Sequence, residues 1–386
     1  MDGFNPEDIV KRIMEILDKK RMELQVMNIM MIGKTGVGKS TLINNLFITK
    51  EAETGIGRPV TQKIQKFKKE GFPLAIYDTP GLELGGENAT SNLLKDVNSI
   101  IKKGINSGDP NNSIHCILYC ISATSHRFEE QEINFIKRFL DENKDNFVPI
   151  ILVITKAISD EDVSELVKCI KKENLGINHI VPVLAEDYKI REGFVIPAYG
   201  MENLAEHIYE VLDKDTQNTF VVIQKANIRL KINKAHGVVV AASAAAAATG
   251  AIPIPVADCA VLIPEQAAML ASITSIFGLP IQKSTIITIV SATIGTAGTT
   301  IAGKNLVSLI KLIPGAGTIA GGVISGGVAA ALTAALGEAY IGVMAAIANG
   351  EMSAKDLETE KGQKFIKDMF KDRLKLKRNS KGGVIK

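Results

Sequence analysis

In the first half of the chain, short apolar runs alternate with amphipathic stretches. Residues 27–32, 74–77, 114–122, 148–155 and 180–184 are rich in Ile, Leu, Val and Met, as strands buried on both faces require. Between them, residues 129–139 and 160–172 place apolar side chains at helical spacing. This alternation predicts one α/β domain over residues 26–214, with a mostly parallel sheet and helices on both faces. Ahead of it, residues 1–25 hold an expected amphipathic helix over 5–24. Asn5 can cap it, Pro6 suits its first position, and Glu7 and Asp8 favour its positive end. Ile9, Ile13, Ile16 and Leu17 form a stripe that needs a partner surface.

After Lys214 the pattern changes to a mixed helical stretch, 216–236, and then to an Ala/Gly/Ile-rich region. Residues 237–257, 284–303 and 312–337 carry no charge, and each is long enough to span a bilayer core. They are mostly Ala, Gly, Ser and Thr, however, which drive insertion weakly, and Pro253, Pro255, Pro264, Pro280 and Pro314 interrupt the pattern. Small residues such as Gly317, Gly321, Gly322, Gly326 and Gly327 let helices approach closely, in a membrane hairpin or a tight soluble bundle. An all-α domain over 215–350, completed by the N-terminal helix and followed by a basic helix and tail over 351–386, is the expected arrangement. In that apolar setting Asp258 and Glu265 either face Lys304 and Lys311 in a closed bundle, because unpaired buried charges are costly, or mark helix ends. Phe365, Met369 and Phe370 among lysines suggest either an interfacial lipid-binding helix or a solvated helix end.

Composition narrows the classes. With 386 residues, 46% hydrophobic and 23% charged, the chain can fold two or three cores, and a net charge of +3 gives no global case for nucleic-acid binding. Of the four cysteines, Cys116 and Cys120 sit inside an apolar run, where buried thiols are common. Acids precede any apolar stretch at the N-terminus, so a secretory leader is not expected and the protein is placed in the cytosol or on the cytosolic face of a membrane. The five histidines are scattered, and no hydrolase-like triad or metalloprotease spacing suggests a further chemistry.

The chemistry is carried by GKTGVGKS, residues 33–40, between an apolar run and the helical pattern TLINNLF. This fits the phosphate-binding loop G-x-x-x-x-G-K-[ST] in its required context. Gly33, Lys34, Thr35, Gly36, Val37 and Gly38 would curl their N–H groups around phosphates; Lys39 would reach the β and γ phosphates, and Ser40, followed by Thr41, would ligate Mg2+. Asp78-Thr79-Pro80-Gly81 ends the next apolar run, where Asp78 can hold Mg2+ through water and Gly81 can offer its N–H to a γ phosphate.

The two motifs together resemble the Ras-like GTPases, specifically the Era, septin and immunity-related group, and imply GTP/GDP and Mg2+ as ligands. The resemblance places Lys39, Thr61 and Gly81 in catalysis and Ser40, Thr61 and Asp78 around the metal, Thr61 being the switch threonine chosen over Thr54. The stretch around residues 254–278 resembles the uncharacterised hydrophobic helical domain that follows Era-like GTPase domains in bacteria, in which Pro264 is expected to kink a helix.

Base recognition departs from the pattern. The family's [NT]-K-x-D motif maps onto Thr155 and Lys156, but Ile158 stands where the carboxylate belongs. Asp160 could replace it from a loop or could be the N-cap of a helix before Glu161, Asp162 and Val163, and Ala185 resembles the last base-contacting loop. Leu82 occupies the place of the water-orienting glutamine of Ras, and Gly36 replaces the asparagine of potassium-activated relatives. An apolar side chain cannot orient water, so slow hydrolysis is expected, roughly 10⁻⁴ to 10⁻² s⁻¹, rising with self-association through Arg58 or Arg127. The expected role is a nucleotide switch coupled to homodimerisation across the nucleotide face or to a membrane surface or bilayer. The alternatives are a ribosome- or complex-assembly GTPase, the one setting for nucleic-acid contact, and an ATP-dependent enzyme.

Overall fold

The computed structural model describes residues 6–48, 64–81, 86–125, 127–146, 148–177, 179–191, 193–249, 254–255, 263–279, 283–286, 288, 323–324 and 326–379. The chain divides into two compact units, Leu24–Asn227 and Met1–Glu23 with Ile228–Lys386.

The first unit is built on a sheet of β1 (Met27–Gly33), β2 (Gln65–Lys68), β3 (Leu74–Asp78), β4 (Cys116–Ser122), β5 (Ile150–Thr155) and β6 (Ile180–Pro182), in spatial order β2-β3-β1-β4-β5-β6. All neighbours run parallel except β2, which is antiparallel to β3. Every residue of β1, β3, β4 and β5 is buried, because helices cover both faces. Met30, Ile32, Ile117, Tyr119, Ile121, Leu152 and Ile154 face one core with α3 (Gly86–Asn106), α4 (Glu130–Glu142) and α5 (Asp160–Lys172). On the other side α6 (Met201–Val211) meets β5 and α7 (Lys214–Ile223) meets β1, while α2 (Lys39–Leu46) packs on α6. The unit therefore extends to Asn227, past residue 214: α7 buries Phe220 and Ile223 here rather than joining the helical region.

Two elements had no strand signal. β2 is a largely exposed edge strand, QKFK, whose charges protect an open edge. A hairpin of β7 (Tyr188–Arg191) and β8 (Phe194–Ile196) projects between β6 and α6, anchored by the paired backbones of Leu184 and Tyr199. Cys116 and Cys120 are fully buried, and burial pushes both thiols up to about 12, so they are core residues.

The second unit is helical. α1 (Pro6–Met22) buries Val10, Ile13 and Leu17 and packs on α9 (Ile263–Phe277), which gives the N-terminal stripe its partner. Ile16 is only half-buried, and the Ile9 side chain lies outside the description. α8 (Ile228–Thr249) and α10 (Gly326–Ala348) pack together and against α9, and α11 (Glu360–Asn379) packs on α10. Pro264 occupies the first turn of α9, where no intrahelical N–H is needed, so it starts this helix instead of kinking it. Of the uncharged run beginning at residue 237, residues 237–249 form the second half of α8, whose first half carries Arg229, Lys231 and Lys234. Among the described residues α10 alone is long and apolar enough to cross a membrane, and 61% of its most apolar window is buried inside the protein. Ile366 and Phe370 on α11 are buried as well, while Phe365 and Met369 are half-buried, so the apolar side of the basic helix is covered by protein in part. The expected pairing of Asp258 and Glu265 with Lys304 and Lys311 rests on Asp258, Lys304 and Lys311, which lie outside the described residues.

Candidate functional site: a phosphate loop at the carboxyl edge of the sheet

β1 lies where the strand order reverses, with β3 on one side and β4 on the other, and α/β sheets bind ligands at the carboxyl ends of strands at such a point. The pairing register brings Gly33, Asp78 and Thr155 to that one edge. The phosphate loop leaves β1 at Gly33, with φ 150°, and a Cβ there would lie 2.4 Å from the Cys120 carbonyl oxygen. Gly36 (φ 76°) and Gly38 (φ 100°) take left-handed conformations, and Gly38 stands directly before α2. The loop thus ends on a helix N-terminus with Lys39, Ser40 and Thr41 in the first turn, the arrangement suited to an anion. Thr35 and Gly36 are exposed and Val37 is buried.

Side chains hold this loop from two sides. Lys39 Nζ bends back and donates to the carbonyls of Gly33 (2.8 Å) and Lys34 (3.2 Å). The Thr155 hydroxyl donates to the Val37 carbonyl and lies 3.1 Å from that of Ile121, which ties the end of β5 to the middle of the loop. Lys34 forms an ion pair with Glu129 at 2.6 Å and lies 3.6 Å from Glu132, and these two glutamates also make the capping box of α4. Burial works against the Lys34 charge, but the two carboxylates outweigh it and its pKa is raised. Burial also raises that of Glu132, against the opposing pull of the Glu129 N–H and Lys34. Sequence reading missed this brace; a glutamate three residues after a helix start signals capping and says nothing of a lysine from another element.

Asp78 closes β3 beside Met31 and is 9% exposed. Burial raises its carboxyl pKa, Lys39 opposes the rise, and Oδ1 has no hydrogen-bond partner among the described residues. A buried carboxylate oxygen left over beside a lysine and a left-handed glycine loop fits a hydrated Mg2+ and a phosphate, and Ser40 stands at the adjoining helix start. Thr79 is committed elsewhere, its hydroxyl donating to the Met31 carbonyl at 3.0 Å. Gly81 is half-buried on the loop after Asp78. Thr61, Arg58, Thr54 and Leu82 lie outside the described residues.

Past the end of β5, Lys156 is exposed with φ 51°, an uncommon conformation for a lysine, and Ala157 is pinned by its N–H to the Val183 carbonyl at 3.2 Å. Ser159 caps α5 and Asp160 is its first residue, exposed rather than capping. Asp160 nevertheless acts on Tyr199, whose pKa is raised by burial and then by that charge. Since Tyr199 pairs with Leu184, next to Ala185, the fold draws Asp160, Tyr199 and Ala185 into one neighbourhood, and Tyr199 is the member the sequence reading missed. Arg127 is exposed past the end of β4.

Residues 28–156 match the family model described as 50S ribosome-binding GTPase, and residues 223–377 match the domain of unknown function DUF697. The neuronal-specific septin-3 of Bos taurus is 30% identical over 207 residues, covering 46% of this chain and 56% of that protein. Septin-9 of Homo sapiens is 31% identical over 171 residues, 38% of this chain and 28% of its own length. The chain thus spans about half or less of these curated relatives. A solved structure of Era from Aquifex aeolicus, bound to GDP and aluminium fluoride, overlaps with a TM-score of 0.32 at 20% identity, covering 58% of this chain and 68% of that one. The chain joins a P-loop GTPase domain at residues 28–156 to a helical domain of the DUF697 family at residues 223–377.

Proposed function

We propose that this protein binds guanine nucleotide with Mg2+, hydrolyses GTP slowly, and passes the state of the nucleotide to its helical unit. The observation that carries this reading is the convergence of Lys39, the left-handed glycine loop and the buried Asp78, with its unpartnered oxygen, on one sheet edge. Ser40, Asp78 and Thr61 are assigned to the metal, whose contribution is to neutralise charge on the β and γ phosphates. Lys39 is assigned to the same phosphates, and in the ligand-free loop it occupies carbonyls it would have to leave.

Thr155 and Lys156 flank the base. With Ile158 in the usual carboxylate position, Asp160, whose charge acts on Tyr199, takes the part of guanine acceptor. Thr61 and Gly81 sense the γ phosphate. Leu82 offers nothing to orient water, so hydrolysis is slow alone, and Arg58 or Arg127 of a second copy supplies charge stabilisation across a homodimer.

The readout is association of the helical unit with itself or with a membrane surface, α10 being the element long enough to enter lipid. On this reading the protein acts in the cytoplasm, peripheral or integral at the membrane. A second reading, a ribosome-assembly GTPase, is favoured by the description of the family model matched at residues 28–156.

The test is fluorescence titration with labelled GTP, GDP and ATP, with Mg2+ and with chelator, for the wild type, Lys39→Ala and Asp160→Asn. Mg2+-dependent GTP binding, lost in Lys39→Ala and shifted toward ATP in Asp160→Asn, is expected; equal ATP and GTP binding by the wild type would make the chain an ATP-dependent enzyme. Liposome flotation with GDP and with a non-hydrolysable GTP analogue separates the readouts. Flotation only with the analogue supports the membrane switch, whereas none in either state, with salt-sensitive binding to 50S subunits, supports the second reading.

A further inference from the structure

Away from the nucleotide edge, the sheet unit brings His179, His207 and Glu210 together, one nitrogen or carboxylate oxygen from each lying within 4.8 Å of the others. The imidazole centroids are 4.5 Å apart, and His207 Nδ1 is 2.9 Å from Glu210 Oε2. The framework is rigid. His179 stands just before β6 and its carbonyl accepts the Leu152 N–H at 3.0 Å. His207 and Glu210 are one turn apart on α6, which is anchored by its buried Leu204, Ala205 and Ile208. All three residues are half-buried or exposed, so an ion can reach them from solvent.

We propose that His179, His207 and Glu210 form a binding site for a divalent transition-metal ion, with Zn2+ the best match, at the end of the sheet opposite the phosphate loop. Two imidazole nitrogens and one carboxylate oxygen are a zinc donor set that leaves the fourth tetrahedral position to water. The same set disfavours Mg2+ and Ca2+, which take oxygen ligands. Ligand atoms around tetrahedral zinc at 2.0–2.1 Å are roughly 3.3 Å from one another. His207 Nδ1 lies 2.9 Å from Glu210 Oε2 and all three ligand atoms lie within 4.8 Å of one another, so the adjustment to that spacing is of side-chain size. An ordinary i,i+3 hydrogen bond accounts for His207 with Glu210, but not for the second imidazole packed against the first. A metal uses the lone pairs of both rings.

The position gives the ion a task. Between His179 and His207 the chain makes the excursion that carries Ala185, the β7–β8 hairpin and the Leu184–Tyr199 bridge. An ion bound at both ends of that excursion ties the edge strand to α6 and lowers the freedom of everything between them.

The test uses the full chain without an affinity tag, stripped with chelator and kept in excess Mg2+ so that the nucleotide edge does not take up the probe. Zn2+ is titrated by calorimetry, Co2+ by its visible absorption, and thermal unfolding is followed with and without one equivalent of Zn2+. The wild type and a His236→Ala control are expected to bind one Zn2+ per chain, give the intense Co2+ bands of a four-coordinate site, and unfold at higher temperature with Zn2+. His179→Ala and His207→Ala should lose at least about a hundredfold in affinity, since even loss of a residue that merely orients a ligand costs 10–100-fold, and Glu210→Gln should lose about tenfold. Far-UV circular dichroism of each variant, matched to the wild type, shows that it has folded. No uptake by the wild type, or uptake by the His179→Ala/His207→Ala double variant equal to that of the wild type, overturns the proposal. Were the variants to unfold, the wild-type stoichiometry and the Co2+ spectrum decide alone, an octahedral weak spectrum or no binding being the negative result.

Discussion

The Thr155 hydroxyl donates to the backbone carbonyl of Val37, joining the end of β5 with the centre of the phosphate loop. Both residues are buried, so the hydrogen bond is shielded from water and the loop is shaped before any ligand arrives. Thr155→Val keeps the side-chain shape and removes the donor. It should leave the fold intact and weaken nucleotide binding by about 5- to 10-fold, the equivalent of one net hydrogen bond of about 1 kcal/mol. Titration of labelled GDP checks this, and unchanged affinity would show that the loop keeps its shape unaided.

Asp78 is held in tension between folding and binding. Burial raises its carboxyl pKa above that of a free aspartate, so in the window between the two values the folded chain binds more protons than the unfolded one. In that window stability falls as pH rises, and the ionised carboxylate is a cost carried at neutral pH. Asp78→Asn should therefore stabilise the ligand-free protein by about 1 kcal/mol, the lower end of the cost of an unpaired buried polar group. The same change should abolish the Mg2+ dependence of nucleotide binding. Urea unfolding without ligand, paired with titrations with and without chelator, reads both effects; a destabilised variant would contradict the account.

A buried cation sets a second pH dependence, of opposite sign. Lys231 on α8 is 1% exposed, donates to the Ile276 and Phe277 carbonyls at the end of α9, and has its pKa lowered by burial from 10.5 to about 7. Between those pH values the unfolded chain keeps a proton that the folded chain has released. Stability should consequently rise with pH from about 7 toward 10.5, by up to about 1.4 kcal/mol per unit, and be insensitive to this group below pH 7. Denaturant unfolding of the helical unit at pH 7, 8 and 9 should show that slope in the wild type and its loss in Lys231→Met. Parallel profiles in the two proteins would refute it.

Gly337 on α10 sits where three helices meet: a Cβ there would lie 2.5 Å from Val239 Cγ2 on α8 and 2.9 Å from Met269 Sδ on α9. Gly337→Ala should cost about 1 kcal/mol as those flexible ends shift, and Gly337→Leu about 3 kcal/mol or more, because overpacking displaces helices. Thermal unfolding of the helical unit measures this, with GTP affinity as the control that should stay constant.

Much of the sheet unit was legible because its strands are buried on both faces, and burial forces near-continuous apolar runs such as those of β1 and β4. The glycine loop was legible for a related reason: the left-handed turns at Gly36 and Gly38 and the close approach of Gly33 to Cys120 restrict residue choice to glycine. β2 and the β7–β8 hairpin gave no signal, since exposed strands need no apolar period and their pairing partners are set by the rest of the fold. The apolar helices were ambiguous by composition, because a small-residue stripe serves close packing in water and in lipid alike.

Sequence by itself determined which local structures can form, through residues whose backbone or burial demands admit few substitutes: the glycines of the phosphate loop and the apolar strands. Only the tertiary structure decided which distant side chains meet. It set Thr155 on Val37, Lys34 between Glu129 and Glu132, Asp160 near Tyr199, and His179 beside His207. The physical reason is that such contacts join exposed or half-buried polar groups from different elements. Their geometry comes from strand order and helix packing, and neither leaves a periodic trace along the chain.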